Sequence, residues 1–214
     1  MKKRLFIVDD QCLVRQGIMR VLERLPLYEI VGEAEDGRKA VYMALELKPD
    51  LIVMSVSMPV MNGIEATRRI SKEMPGAKII ALSSRADTKS AVEMLDAGAR
   101  SYLVRPATTS ELVQAIDITS RGGTYIDPVV SKVCMAKVFK YRRDKKSAFS
   151  VLSPREREIL QMIAESMQSK EIARILRISI KTVDTHRQKI IEKLECNSIA
   201  GLTKYAIREG LTSA

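Results

Sequence analysis

The sequence predicts two fold classes in series: an α/β domain with a doubly wound five-stranded parallel sheet, then an all-α domain of four helices. Three observations predict this. Short apolar runs alternate with segments of helical spacing over the first 125 residues. Gly122-Gly123 ends that alternation. From Ser153 onward, apolar residues recur at helical spacing between short polar turns. Parallel strands need crossover helices and both sheet faces must be covered, so strand–helix alternation selects the doubly wound arrangement.

The five apolar runs, at 5–8, 30–32, 51–54, 79–82 and 102–104, read as buried strands. After the first, Val14, Ile18, Val21, Leu22 and Leu25 fall at helical spacing. In such a sheet the working site lies at the carboxyl ends of the strands. Asp9 and Asp10 end the first strand, Ser55 the third, Ser83 and Ser84 the fourth, and Arg105 the fifth. Two carboxylates, several hydroxyls and one cation therefore share a rim, although they are scattered over a hundred residues.

Beyond Gly122-Gly123, Asp127-Pro128 can start a helix that Val129 to Phe139 continue. The charged stretch from Lys140 to Ser147 has no periodicity and reads as a basic linker able to touch phosphates. The expected division is a sheet domain at 1–122, a linker helix and basic linker at 123–150, and a helical domain at 151–214. In the last, Ser153-Pro154-Arg155-Glu156 combines a capping serine, a first-turn proline and a capping-box glutamate, and the apolar face runs on through Ile159, Leu160, Ile163, Ala164 and Met167. A short helix follows at 170–176. Ser179 caps a third helix that runs to Leu194, and Ser198 caps a fourth that ends near Gly210.

Two helices joined by a short turn, the second long and polar on one side, form a helix-turn-helix pattern. On a helical wheel Val183, Ile190 and Leu194 point to the core, while Lys181, Thr185, Gln188 and Glu192 lie opposite with Asp184 at the edge. Mixed donors and acceptors on such a face suit the edges of bases in a major groove. His186 falls near the core side, which suits packing or a phosphate contact.

Charge agrees with a polyanionic partner. The chain has 36 basic and 26 acidic residues, a net +10; residues 1–125 carry +2, 126–150 carry +5 and 151–214 carry +3. The excess is a stripe, which suits nucleic acid or an anionic surface. Other classes recede. No apolar run approaches the roughly 20 residues that span a bilayer. Met1-Lys2-Lys3-Arg4 opens like a signal peptide, but only four apolar residues precede Asp9-Asp10, so no secretory segment is expected. Cys12, Cys134 and Cys196 form no paired motif, which fits a reducing cytosol and predicts a cytoplasmic protein. His186 is the single histidine, a poor basis for a zinc site or a hydrolytic triad.

These residues resemble a known family over nearly the whole chain. Val8-Asp9-Asp10, Met58-Pro59-Val60-Met61-Asn62-Gly63, Gly98-Ala99 and Tyr102-Leu103-Val104-Arg105-Pro106 resemble a flavodoxin-like two-component receiver domain. Leu152-Ser153-Pro154-Arg155-Glu156-Arg157-Glu158-Ile159-Leu160, then Lys170-Glu171-Ile172-Ala173, Lys181-Thr182-Val183, His186 and Lys193-Leu194, resemble a LuxR-type helix-turn-helix. In this order the motifs are similar to the NarL/FixJ class of response regulators.

The resemblance implies a magnesium site at Asp9 and Asp10, a phosphoacceptor aspartate ending the third strand, a hydroxyl switch at Ser83, an aromatic partner at Tyr102 and a lysine at 105. It also implies base contacts from Asp184, Thr185 and Gln188, and dimerisation through the fourth helix of the last domain. Lys170, Lys181, Thr182, His186, Arg187, Lys189 and Lys193, with Arg155, complete the expected DNA-binding set as phosphate contacts or flanks.

Two positions depart from the pattern: serine stands at 55 and arginine at 105. A serine hydroxyl is a weak nucleophile without a base, and ionised Asp9 and Asp10 are weak bases. Magnesium also loses one of three carboxylate ligands, so any site at Asp9 and Asp10 is expected to be weak. The expectation is a DNA-binding transcription regulator, not an enzyme, with a receiver pocket that has lost its phosphorylation chemistry. Double-stranded DNA, a second copy of the chain, and a sensor kinase or other protein are its expected partners, with no membrane and no other cofactor. Three alternatives stand beside it. A phosphorylation-dependent regulator carrying an introduced change would show the same residue at 55, but one change would leave lysine at 105. A protein-interaction module would use the receiver face. A small enzyme would use the sheet edge, although Asp9-Asp10-Gln11 offers no phosphate-cradling glycine loop.

Overall fold

The computed structural model describes residues 2–131, 151–196 and 198–212. The chain divides into two compact units, Met1–Lys140 and Tyr141–Ala214. Most of the expected linker helix and the basic linker fall outside the described residues.

In the first unit, strands and helices alternate: β1 (Lys3–Val8), α1 (Cys12–Glu23), β2 (Tyr28–Ala34), α2 (Gly37–Leu47), β3 (Leu51–Ser55), α3 (Gly63–Glu73), β4 (Ile79–Ser83), α4 (Thr88–Asp96), β5 (Ser101–Val104) and α5 (Thr109–Ser120). The strands form one sheet in the order β2-β1-β3-β4-β5, with every neighbouring pair parallel. β1, β3 and β4 are interior, so their runs are apolar on both faces. Leu5, Ile7, Val53, Ile80, Leu82 and Leu103 pack on one face against Leu22 of α1 and Leu112, Ala115 and Ile116 of α5.

β2 is longer than its apolar run of three. As the edge strand it has only one neighbour, and a register shift between Leu5 and Phe6 keeps it paired through Ala34 while Glu29 stays exposed. Four of the five helices begin where short polar side chains accept their first free N–H groups: Asp36 for α2, Asn62 for α3, Asp87 for α4, and Thr108 for α5 in a capping box with Glu111. The start of α3 lies hard against the end of β3. A Cβ at Gly63 would lie 2.0 Å from the Ser55 carbonyl oxygen, so only glycine fits.

The second unit holds α6 (Pro154–Ala164), α7 (Ser169–Leu176), α8 (Ile180–Leu194) and α9 (Ile199–Arg208). Ile159, Leu160, Ile172, Val183, Ile190 and Leu202 form its buried centre. The first helix does not run on through Met167. Ser166 adopts a left-handed φ of 64°, and the Met167 N–H turns back to the Met162 carbonyl, closing a Schellman turn. Arg177 and Glu195 end α7 and α8 in the same conformation, with φ of 52° and 51°.

Candidate functional site

Parallel register brings the rim residues together. The Asp9 N–H donates to the Ala34 carbonyl at 3.1 Å, and the Arg105 N–H to the Ser83 carbonyl at 2.7 Å, so both residues leave the sheet on the same edge. Asp9 is 1% exposed, and its two carboxylate oxygens have different partners. One accepts the Gln11 N–H at 2.9 Å; the other faces the Arg105 guanidinium, with Nη1 at 3.3 Å. Arg15 donates to the Asp9 carbonyl oxygen at 2.7 Å and pairs through Nε with Glu33. Burial pushes the Asp9 carboxyl above its ordinary value. The Gln11 N–H, Arg105 and the Ser55 hydroxyl oppose the rise, and the Asp10 charge adds to it.

Ser55 is buried, and its hydroxyl donates to the Ser57 carbonyl at 3.4 Å, beside the Asp9 carboxyl whose pKa it helps to hold down. Gln11 and Arg105 engage the carboxylate oxygens that a general base would use, so the arrangement orients this hydroxyl without activating it. Asp10 is exposed. The buried Ser83 hydroxyl donates to the Arg85 carbonyl at 2.8 Å and accepts the Arg85 N–H at 3.1 Å. Tyr102 is fully buried, its backbone bonded to Tyr125 and Asp127.

The magnesium implied by the receiver resemblance does not fit these residues. A guanidinium faces one oxygen of the buried carboxylate, a neutral serine stands where a third carboxylate is needed, and no group of three His, Cys, Asp or Glu among the described residues can hold a metal.

α8 carries the second candidate surface. Lys181, Thr182, Asp184, Thr185, Gln188 and Lys189 are exposed on it, as is Lys170 on α7, while Val183 and Ile190 are wholly buried. Leu194, expected in the core, is only half-buried. The Thr185 hydroxyl donates back to the Lys181 carbonyl at 2.9 Å, and Ser169 of α7 donates to Asp184 at 3.0 Å, whereas Gln188 has no such tie among the described residues. Arg187 and His186 are half-buried, and the His186 Nδ1 has no hydrogen-bond partner among the described residues.

Two expected DNA contacts are engaged elsewhere. The Lys193 ammonium lies 2.7 and 2.9 Å from the carboxylate oxygens of buried Glu156 on α6. Arg155 pairs with Glu158 at 3.1 Å and donates to the Leu176 carbonyl at 3.0 Å. Burial opposes ionisation of Glu156, yet Lys193 and the Ser153 cap outweigh it and lower its pKa. Sequence reasoning read Glu156 only as a cap and missed Ser169; a serine directly before Lys170-Glu171 was the available signal.

Among the described residues no helix is long and apolar enough to cross a membrane. Two family models match: the response regulator receiver domain over residues 5–117, and the bacterial regulatory proteins of the luxR family over residues 150–206. The response regulator GacA of Pseudomonas protegens is 38% identical over 211 residues, covering 99% of this chain and 98% of that protein. The transcriptional regulatory protein LiaR of Bacillus subtilis is 38% identical over 212 residues, covering 98% and 99%. A solved structure of the RcsB response regulator of Salmonella typhimurium, described for its conformational dynamism in DNA interaction, superposes with a TM-score of 0.58 at 26% identity, covering 95% of this chain and 97% of that one.

Proposed function

This chain belongs to the response regulators, with a receiver domain followed by a LuxR-type DNA-binding domain, and from that premise we propose that it regulates transcription as a DNA-bound homodimer without phosphorylation of its receiver. The observation that carries the proposal is Ser55, buried at the end of β3 with its hydroxyl donating to the Ser57 carbonyl, while Arg105 and the Gln11 N–H engage the Asp9 carboxylate beside it. Nothing there accepts a phosphoryl group as a carboxylate would, and a neutral hydroxyl does not imitate a phosphorylated one.

In this reading the protein is a regulator and not an enzyme. It acts in the cytoplasm, where its DNA lies. The receiver occupies residues 1–122 and the DNA-binding domain 151–214, joined by the linker at 123–150. Asp184, Thr185 and Gln188 read bases. Gln188 suits a bidentate pair with adenine, Asp184 accepts from cytosine, and Thr185, its hydroxyl tied to Lys181, offers its methyl to thymine. Lys170, Lys181, Thr182, Arg187 and Lys189 contact phosphates. Lys193 and Arg155 are left out of that set because their charges are held by Glu156 and Glu158. Two copies related through α9 present two such surfaces to a two-fold site. A sensor kinase or another protein remains a partner for the receiver face.

Intact-mass measurement after incubation with acetyl phosphate and magnesium tests the central point. The expected result is no adduct of about 80 Da, the mass added by one phosphoryl group. A stoichiometric adduct that maps to Ser55 overturns the reading.

A further inference from the structure

A cleft of about 660 Å³ opens between α1 and α5 of the receiver. Its walls are apolar: Val14, Ile18 and Val21 come from α1, Leu82 and Leu103 from the sheet, and Leu112 from α5. Of the lining residues Arg105 alone is charged, and the Ser84 and Thr108 side chains border it. That volume lies within the roughly 300–1,000 Å³ of small-molecule sites, and an apolar chamber with one convergent charge is their usual composition.

Two details argue that the space is held open for an occupant. Gly17 stands inside α1 and lines the cleft, although glycine weakens a helix interior. A Cβ at this position would meet nothing within 4 Å, so no close approach in this chain calls for glycine; what its absent side chain preserves is room. The second detail is Arg105. Its fork carries five N–H donors, yet Asp9 is its one side-chain partner among the described residues, met through a single nitrogen at 3.3 Å. A well-formed charge-assisted contact of this kind measures about 2.7–2.9 Å, so most of the fork's capacity is unused.

We propose that this cleft binds a small amphipathic carboxylate, its apolar body lying between α1 and α5 and its carboxylate on the Arg105 guanidinium. Charge complementarity selects the class. A cation would meet Arg105 at the only charged point of the lining, and a dianion would be repelled more strongly than a monoanion by Asp9, which already faces Arg105. The ligand's carboxylate takes N–H donors of Arg105 that Asp9 leaves unused, so occupancy of the cleft is felt at Asp9 through the guanidinium they share. The receiver thereby gains an input that needs no phosphoryl transfer. The proposal goes beyond the phosphorylation-independent reading and is tested separately from it, with neither phosphodonor nor DNA present.

Calorimetric titration of the full-length protein with decanoate, decanol and decylamine, each below its micellar concentration, reads the binding. Wild type is expected to bind decanoate about tenfold more tightly than decanol, the gain of one charge-assisted hydrogen bond, and decylamine most weakly. Arg105→Gln reduces decanoate to the level of decanol and leaves decanol unchanged. Gly17→Leu fills the cleft and abolishes binding of both while its melting temperature without ligand is not lowered. Equal affinity for decanoate and decanol in wild type, retained preference in Arg105→Gln, or retained binding in Gly17→Leu overturns the proposal. So does the absence of binding accompanied, in sedimentation, by a wild-type dimer that Gly17→Leu converts to monomer, which assigns the cleft to a second copy of the chain.

Discussion

Asp9 carries a charge in a place that disfavours charge, and its pH dependence follows from that. Burial holds its pKa above the ordinary value of 3.8 even with Arg105 and the Gln11 N–H in contact. The folded protein therefore holds this proton more tightly than the unfolded chain does. Its contribution to stability is fullest in acid and is lost as pH rises from the ordinary carboxylate range through the raised pKa. Asparagine at this position still accepts from the Gln11 N–H, and the released guanidinium, already 20% exposed, can reach water. Asp9→Asn is thus expected to gain on wild type as pH increases and to equal or exceed its urea midpoint at about pH 7. A difference that moved the other way would show that the Arg105 pairing outweighs burial. The Asp9–Arg105 juxtaposition was legible in the sequence, because strand ends of a doubly wound sheet converge on one rim. The cleft between α1 and α5 was not, because it arises from the packing of two helices whose apolar spacing alone reads as core.

The elements show where sequence patterns mislead. Interior strands announce themselves, since a strand covered on both faces must be apolar throughout; β2 was underestimated because an edge strand tolerates Glu29 and Glu33. Helix starts in the second unit were readable from Ser153, Ser179 and Ser198. The stop of α6 was hidden because Ser166 occupies the left-handed position where glycine is the usual signal, whereas α7 and α8 end at Leu176 and Leu194 as their apolar spacing predicts, although Arg177 and Glu195 take the same conformation. Ser166→Gly removes the steric cost of that conformation and is expected to stabilise the protein by about 1 kcal/mol, read from a urea melt followed by circular dichroism. A loss of stability would contradict the left-handed assignment. The Glu156–Lys193 pair, which ties α6 to α8, was equally invisible, because no spacing rule links residues 37 apart. Since its folded pKa lies below the ordinary 4.5, Glu156 contributes stability at neutral pH that disappears as pH falls through that range. Glu156→Gln is expected to cost about 1 kcal/mol at neutral pH, because Lys193 is 41% exposed and regains water. Lys193→Met strands the buried carboxylate and is expected to cost more, about 3 kcal/mol. Equal losses would mean that the two partners are equally desolvated.

At the scale of the whole molecule, charge and shape divide the work. The first 125 residues carry only +2 of the net +10, so the electrostatic attraction for a polyanion comes from the linker and the helical unit. Phosphate attraction is blind to sequence and screened by salt, whereas hydrogen bonds to base edges are specific and depend far less on salt. The exposed face of α8 holds both kinds of residue side by side: Lys189 carries an ammonium, and neighbouring Gln188 has a neutral amide that offers both a donor and an acceptor. Substituting each separates the two contributions on one scaffold. Gln188→Ala is expected to cost about 1–3 kcal/mol on a matched operator, to cost nothing on a scrambled one, and to relax preference at a single base position. Lys189→Ala is expected to weaken binding to both DNAs alike and to reduce the slope of log affinity against log salt by about 1. Gel-shift titrations on the two DNAs across a range of salt read both effects. Equal weakening of the two sequences by Gln188→Ala would move that residue to the phosphate-contacting set. The base-reading role would then rest on Asp184 and Thr185, whose polar groups Ser169 and the Lys181 carbonyl already engage.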